Sequence, residues 1–192
     1  MRLFIAVDPD ATARAAISAS VARLREHAEC RQGGLSRSVS WVPEGNLHLT
    51  VHFLGEVEDA RVPGLQSSLA RPLGIEPADV GFGDWGVFPS HGSPRVVWIG
   101  VTDGLSSLER AHALLKERLA ELGVGFEARR FSAHLTVGRV KAPSGDVLRD
   151  LVDGGEAPVA TRCTVTQCVL YRSRLSPDGA TYEALVHTPF QS

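Results

Sequence analysis

The chain has 192 residues, of which 43% are hydrophobic and 22% are charged, and its formal net charge is −2. This composition excludes a disordered chain, and the near-neutral charge excludes a protein that coats nucleic acid along its whole length, because such binding needs a broad basic field. No apolar run approaches the roughly 18 residues that a membrane span requires. The three cysteines, an odd and low number, indicate a reduced cytoplasmic protein rather than a disulfide scaffold.

The first half of the chain begins with a β-branched and aromatic strand, and Asp10 is the expected N-cap of the helix after it. The predicted order is strand, helix, strand, strand, helix and extended segment, over residues 2–7, 11–27, 39–42, 46–54, 58–69 and 75–88. A loop rich in glycine, proline and serine at residues 89–94 ends this half.

The second half repeats this order. Strands and helices are predicted at 95–101 (strand), 104–122 (helix), 126–140 (loop and strand), 145–152 (short helix), 159–171 (β-rich run) and 181–187 (strand). Gly123 is expected to end the first of these helices, and residues 176–179 form the turn before the last strand.

Strand–helix–strand units in both halves favour an α+β fold. Most strands are half polar, which is typical of antiparallel sheets with one face away from the core. We therefore predict two pseudo-symmetric lobes with mainly antiparallel sheets and outer helices. The two lobes would form a single bilobal domain over residues 1–192 with a central cleft.

A tetrapeptide, His-Leu-Thr-Val, occurs at residues 48–51 and again at residues 134–137. Each copy lies in a predicted strand at a matching point of the repeated order. Because side chains alternate between the two faces of a strand, the histidine and threonine of each copy share one face, and the leucine and valine face the core. With the lobes related by a pseudo-twofold axis, the two polar faces meet across a groove.

Two histidines and two hydroxyls suit a particular chemistry. Histidine has an unperturbed pKa of about 6.5, so one ring can be neutral and act as a base while another is charged and acts as an acid. In-line displacement at phosphorus needs both roles. Threonine hydroxyls can hydrogen-bond the non-bridging oxygens where charge accumulates. The pairs His48 with Thr50 and His134 with Thr136 therefore suit attack on a phosphodiester without a metal.

The segments around both motifs resemble the RNA 2′,3′-cyclic phosphodiesterases of the two-histidine phosphoesterase superfamily, historically called 2′-5′ RNA ligases. The matching blocks are residues 4–7, 46–57, 88–89, 94–101, 131–139 and 170–173, with Gly179 and Tyr182. The resemblance runs from about residue 2 to residue 186. Two departures from the family pattern are Ala133, where proline is common, and His52.

This resemblance implies hydrolysis of a 2′,3′-cyclic phosphate at an RNA end to a 2′-phosphate, with no cofactor. In the family pattern His48 donates a proton to the leaving 3′ oxygen, and His134 accepts the proton of the attacking water. Thr50 and Thr136 would hold the phosphate. The implied partners are RNA ends or small cyclic nucleotides. We expect a monomer that has no obligatory protein partner and does not associate with a membrane.

Several other residues are assigned by their spacing. Arg130 lies four residues before His134 and is expected to face the groove and neutralise phosphate, whereas Arg139, five residues after it, should face away. The segment 129–141 holds four basic residues and no acidic one, which fits a substrate bound over a few nucleotides.

The histidine and aromatic candidates leave alternatives open. His52 is expected on the face of His48 and Thr50, either lining the groove or simply solvated. Tyr182 could stack on a base, whereas Phe53 is expected in the core.

A metal-dependent mechanism and two other functions are the alternatives to metal-free hydrolysis. A metal site of His48, His52 and His134 lacks the clustered Cys, His or carboxylate pattern of zinc sites. The reverse reaction would join RNA ends through a 2′-5′ bond. A non-catalytic module that binds RNA ends is the alternative from another functional class.

Overall fold

The computed structural model describes residues 1–31, 38–127, 130–141, 147–154, 160–177 and 179–191. The helices are α1 (Ala11–Arg31), α2 (Val62–Leu69), α3 (Leu105–Glu121) and α4 (Val147–Gly154). The strands are β1 (Arg2–Val7), β2 (Val39–Trp41), β3 (Leu49–Glu56), β4 (Ala78–Phe88), β5 (Val96–Asp103), β6 (His134–Val140), β7 (Thr161–Val165), β8 (Gln167–Ser176) and β9 (Gly179–Pro189).

The predicted order of elements is confirmed, with small changes at the boundaries. The β-rich run predicted at 159–171 is two strands, β7 and β8, separated at Thr166. The strand predicted at 46–54 begins instead at Leu49, and Asn46 is the last residue of a short 3₁₀ helix, Glu44–Asn46. Arg129 of the basic segment and residues 145 and 146 of the predicted short helix lie outside the described residues.

Within the described residues the strands form one sheet in the order β7-β4-β5-β6-β3-β1-β8-β9, with β2 paired to β6. Every ladder is antiparallel. The order is symmetric about the junction of β3 and β6, where Leu49 pairs with Leu135 and the two strands then diverge. The two predicted lobes are therefore present, joined into one continuous sheet at this single paired position.

The helices cover the outer face of the sheet and cross between lobes. Helix α1 follows β1 of the first lobe but packs against β7 and α4 of the second, and α3 follows β5 of the second lobe but packs against β3 of the first. Both helices bury an apolar stripe, which in α3 consists of Leu108, Ala111, Leu115 and Leu119.

Capping residues position the two long helices. The Asp10 carboxylate accepts a hydrogen bond of 2.8 Å from the backbone N–H of Ala13, which confirms Asp10 as the N-cap of α1. Helix α3 ends at Glu121, and Gly123, the residue after the C-cap Leu122, has a φ of +62° in the left-handed region that favours glycine. None of the helices in the described part of the chain is long and apolar enough to cross a membrane.

The valine of each tetrapeptide is an extra residue in its strand. In the β1–β3 ladder, Ala6 pairs with Thr50 but Ile5 pairs with His52, which leaves Val51 as a bulge. The β5–β6 ladder repeats this arrangement: Trp98 pairs with Thr136, Val97 pairs with Gly138, and Val137 is left over. Because a bulge inserts one residue, it reverses the alternation of faces for the residues after it.

Candidate active site

The two motif histidines have the same local geometry. His48 lies just before β3 and His134 is the first residue of β6. The Nδ1–H of His48 donates to the carbonyl of Asn46 at 2.7 Å, and the Nδ1–H of His134 donates to the carbonyl of Ser132 at 2.7 Å. Because a carbonyl only accepts, each bond fixes the proton of the neutral ring on Nδ1. Nε2 of each ring is therefore the nitrogen left for proton transfer.

Aromatic rings surround both imidazoles. His48 lies 4.9 Å from Phe4 and 5.1 Å, edge-on, from Tyr182, measured between ring centroids. His134 lies 5.0 Å, edge-on, from Phe88. Burial in this setting lowers the pKa of both histidines, and the bond to the backbone carbonyl opposes that effect. Each ring therefore loses its proton at a lower pH than histidine does in water.

The two histidines differ in the charges near them. The Asp8 carboxylate raises the pKa of His48, whereas the nearby charges of Arg139 and His134 lower it. Arg139 also lowers the pKa of His134. The Asp8 carboxylate is therefore the nearby charge that favours the proton-donating state of His48.

A cleft of about 640 Å³ opens where β3 and β6 diverge, and it reaches through to His112 of α3. Among the predicted site residues, it is lined by Thr50, Thr136, His134, Arg130 and His52. His48 and Tyr182 line a separate cavity of about 200 Å³ together with Asp8 and Tyr171. The structure therefore brings both threonines, His134, Arg130 and His52 to one cleft, and sets His48 and Tyr182 beside a smaller cavity.

The expectation that His52 shares the face of His48 and Thr50 is wrong. The Val51 bulge places His52 opposite Ile5 of the core, and only 3% of its surface is exposed. Its Nε2–H donates to the carbonyl of His112 on α3 at 2.9 Å, and the two imidazoles stack 4.1 Å apart. His52 is therefore neither solvated nor beside the motif threonine, although the end of the cleft reaches it where the strands part.

Two residues that the period-two rule assigned elsewhere face the cleft. Arg139, which was expected on the other face, lines the cleft because the Val137 bulge puts it on the same face of β6 as His134. Phe53, expected in the core, pairs with Phe4 on the cleft face for the same reason. For Arg139 the available signal was Gly138, because a glycine inside a strand often marks a bulge.

The cleft is rich in positive charge. Three arginines line it: Arg95, Arg130 and Arg139, with Glu127 as the acidic residue at its edge. Guanidinium groups bind phosphate bidentately, so the cleft suits a phosphorylated ligand. In the described part of the chain no group of three or more His, Cys, Asp or Glu side chains is arranged to hold a metal ion.

Comparisons with known proteins agree with this geometry. A family model described as "LigT like Phosphoesterase" matches residues 9–98 and again residues 99–182. An RNA 2′,3′-cyclic phosphodiesterase of Archaeoglobus fulgidus is 36% identical over 185 residues, which cover 96% of this chain and 98% of that protein. A protein of the same name from Thermotoga maritima is 30% identical over 192 residues, covering 100% and 96%.

The fold is also found among solved structures. Escherichia coli LigT in complex with 3′-AMP superposes with a TM-score of 0.72 at 23% identity, covering 100% of this chain and 98% of that one. Each of the two family matches contains one histidine motif, but neither coincides with one half of the sheet: β4 of the first match lies in the half of β6, and β8 of the second match lies in the half of β3. The chain belongs to the LigT-like phosphoesterase family.

Proposed function

We propose that this protein hydrolyses the 2′,3′-cyclic phosphate at an RNA end to a 2′-phosphate, without a metal. The observation that carries the proposal is the pair of equivalent imidazoles, each with Nδ1 bound to a backbone carbonyl and Nε2 left for proton transfer. The family relatives named RNA 2′,3′-cyclic phosphodiesterase support the same reaction.

The proposed reaction moves two protons. Nε2 of His134 accepts a proton from water as the water oxygen bonds to phosphorus. The bond from phosphorus to the 3′ oxygen breaks, and protonated Nε2 of His48 gives its proton to that oxygen. The products are a 3′-hydroxyl and a 2′-phosphate. The carboxylate of Asp8, which raises the pKa of His48, supports this division of roles.

The phosphate would be held by neutral and charged donors. We propose that the hydroxyls of Thr50 and Thr136 hydrogen-bond the non-bridging oxygens, where negative charge grows in the transition state. Arg130, which is exposed on the cleft rim, and Arg139 would neutralise that charge.

The substrate class follows from the cleft. RNA ends or small cyclic nucleotides fit a site with a few arginines and exposed aromatic surface. Half-buried Phe53 is the ring on the cleft face against which a base would stack. Tyr182 packs edge-on against His48, so we propose that it supports the histidine rather than a base.

We further propose that residues 1–192 form one bilobal domain that acts as a monomer in the cytoplasm. The continuous sheet across both lobes supports a single domain. Cys30, Cys163 and Cys168 are free thiols, which suits a reducing compartment. No observation in the described residues favours RNA joining or binding without chemistry over hydrolysis.

The test is incubation of the protein with an RNA oligonucleotide that ends in a 2′,3′-cyclic phosphate, with EDTA present, followed by ³¹P NMR. A 2′-phosphate product supports the proposal. A 3′-phosphate product would keep the two-histidine chemistry but reverse the roles of the two oxygens. Tight binding without turnover would leave a binding module instead of an enzyme.

A further inference from the structure

The internal repeat makes the two histidines equivalent, and the reaction requires them to differ. Both rings bind the carbonyl two residues earlier at 2.7 Å, and both precede a bulged valine. An acid and a base with the same surroundings would titrate together. The fold must therefore break the symmetry close to one of them.

The symmetry breaks on the strand beside each histidine. In the second lobe Ile99 pairs with Leu135, and the next residue, Gly100, pairs with His134. In the first lobe Val7 pairs with Leu49, and the next residue is Asp8. A carboxylate thus stands beside the first histidine, where the equivalent position beside the second has no side chain.

Asp8 is held in place from a distant strand. The Tyr171 hydroxyl of β8 donates to the Asp8 carboxylate at 2.5 Å. The Tyr171 ring stacks on Phe4 at 5.4 Å, and Phe4 in turn lies 4.9 Å from His48. Asp8, Tyr171 and His48 line the same cavity of about 200 Å³. The carboxylate is therefore fixed beside the imidazole and not free to turn into solvent.

We propose that Asp8, oriented by Tyr171, is the positioning residue that makes His48 the acid and leaves His134 as the base. This inference rests on the proposed function and deepens it. Asp8 touches neither water nor phosphate in the reaction, and acts by stabilising the imidazolium of His48 between turnovers.

The other groups around His48 do not supply the same effect. Titratable or charged groups face its surroundings from five places: Asp8 after β1, Arg14 of α1, Tyr171 of β8, Tyr182 of β9, and His134 with Arg139 of β6. Of these, Asp8 is the carboxylate. Arg14 donates to the carbonyls of Pro9 and Gly45, which directs its guanidinium toward the backbone.

Tyr171 is suited to its part. Burial and the bond to Asp8 raise the pKa of its phenol, so it stays protonated and remains a donor. Burial lowers the pKa of His48, and the bond to the Asn46 carbonyl and the Asp8 carboxylate oppose this effect. At His134 the bond to the Ser132 carbonyl opposes burial, and Arg139 lowers the pKa further. The expected result is a His48 that holds its proton at a pH where His134 has lost its own.

The test compares Asp8→Asn with the wild type by NMR titration of the histidine rings and by the pH profile of kcat/KM. Removing the carboxylate should lower the pKa of His48 by about one unit and leave that of His134 in place. The alkaline limb of the profile should move to lower pH by a similar amount, and the acidic limb should stay. Asp8→Glu keeps the charge and should recover most of the shift.

Asp153→Asn is the matched control, because Asp153 is exposed on α4. A merely structural role would lower activity in Asp8→Asn without moving one limb. The inference would be overturned if the NMR pKa of His48 stayed in place while the pH profile of kcat/KM moved at both limbs or at neither. Absence of turnover in the wild type would instead remove the proposed function, and the NMR titration would still decide the effect of Asp8 on His48. If Asp8→Asn does not fold, the same NMR titration is made on Tyr171→Phe, which removes the hydrogen bond that holds the Asp8 carboxylate. A His48 pKa equal to that of the wild type in this variant would contradict the inference.

Discussion

Phe53 and Arg139 occupy equivalent positions in the two lobes, each the fifth residue after a motif histidine and each returned to the cleft face by a bulged valine. Phe53 pairs with Phe4, and Arg139 pairs with Val96. One lobe therefore offers an aromatic ring and the other a guanidinium at the same place. A symmetric fold can in this way bind an asymmetric ligand, a base on one side and a phosphate on the other.

Arg139 should be essential for binding or stabilising the phosphate. We expect Arg139→Gln to lower kcat/KM by about 10²- to 10³-fold, because it removes a charged donor from the site where negative charge develops. The measurement is steady-state hydrolysis of an RNA oligonucleotide with a cyclic-phosphate end. Arg110→Gln, the same change at an exposed position of α3, is the control and should behave like the wild type. Equal rates in the two variants would remove Arg139 from the site.

Each motif histidine should be required for turnover but not for folding. We expect His48→Ala and His134→Ala to lower kcat by about 10²- to 10⁴-fold each, the usual contribution of a general acid or base. Both rings are only half-buried, so circular dichroism spectra and melting temperatures should stay close to wild type. His187→Ala, at an exposed position of β9, is the control. Near-wild-type turnover in either motif variant would disprove its assigned role.

The pH dependence of kcat/KM should follow from the lowered pKa values of His48 and His134. Burial lowers the pKa of His48 and of His134 from the ordinary value of 6.5. A base must be neutral, so kcat/KM should rise as pH increases through the pKa of His134. An acid must be charged, so kcat/KM should fall as pH increases through the pKa of His48. The bell-shaped optimum of the free enzyme should therefore lie below about pH 6.5. A flat profile from pH 5 to 9, with chemistry limiting turnover, would contradict this.

The buried His52 should make the fold less stable in acid. Burial lowers its pKa to about 4 from 6.5. Below pH 6.5 the unfolded chain binds a proton there that the folded chain does not, so the free energy of unfolding should fall as pH drops toward 4. His52→Gln keeps an N–H donor for the His112 carbonyl and does not titrate. Urea unfolding at several pH values should show a weaker pH dependence in this variant, and an unchanged slope would assign the acid sensitivity to other groups.

The amino-acid pattern was enough to single out the two histidine–threonine pairs but not to place the residues around them. Period-two alternation holds from His48 to Thr50 and from His134 to Thr136, so each pair could be assigned to one face from the spacing alone. The alternation fails one residue later, at each bulge. Gly138 signals the second bulge, but the first motif has His52 at that position, and nothing local distinguishes a bulged strand from a regular one there.

The partner of Asp8 could not be predicted for a different reason. Tyr171 is 163 residues away and reaches Asp8 because β8 pairs with β1. The choice of neighbouring strands in an antiparallel sheet depends on how both lobes pack, and a single strand carries no record of its partner. Motifs of chemically distinctive residues are therefore easier to find in a sequence than the groups that tune them.

Gly138 should be needed for the packing that supports the second motif. A Cβ on Gly138 would lie 2.7 Å from Cγ1 of Val39 and 3.2 Å from the Trp41 ring, both on β2. Gly138→Ala should therefore push β2 away from β6 and destabilise the fold by about 1–3 kcal/mol, the usual result of overpacking. Gly64→Ala is the control, because a Cβ there meets nothing within 4 Å and Gly64 lies in helix α2. Alanine in a helix should stabilise by about 0.5–1 kcal/mol. Chemical denaturation of both variants measures the free energy of unfolding. Equal values for the two variants would show that β2 can move away from β6 without a loss of stability.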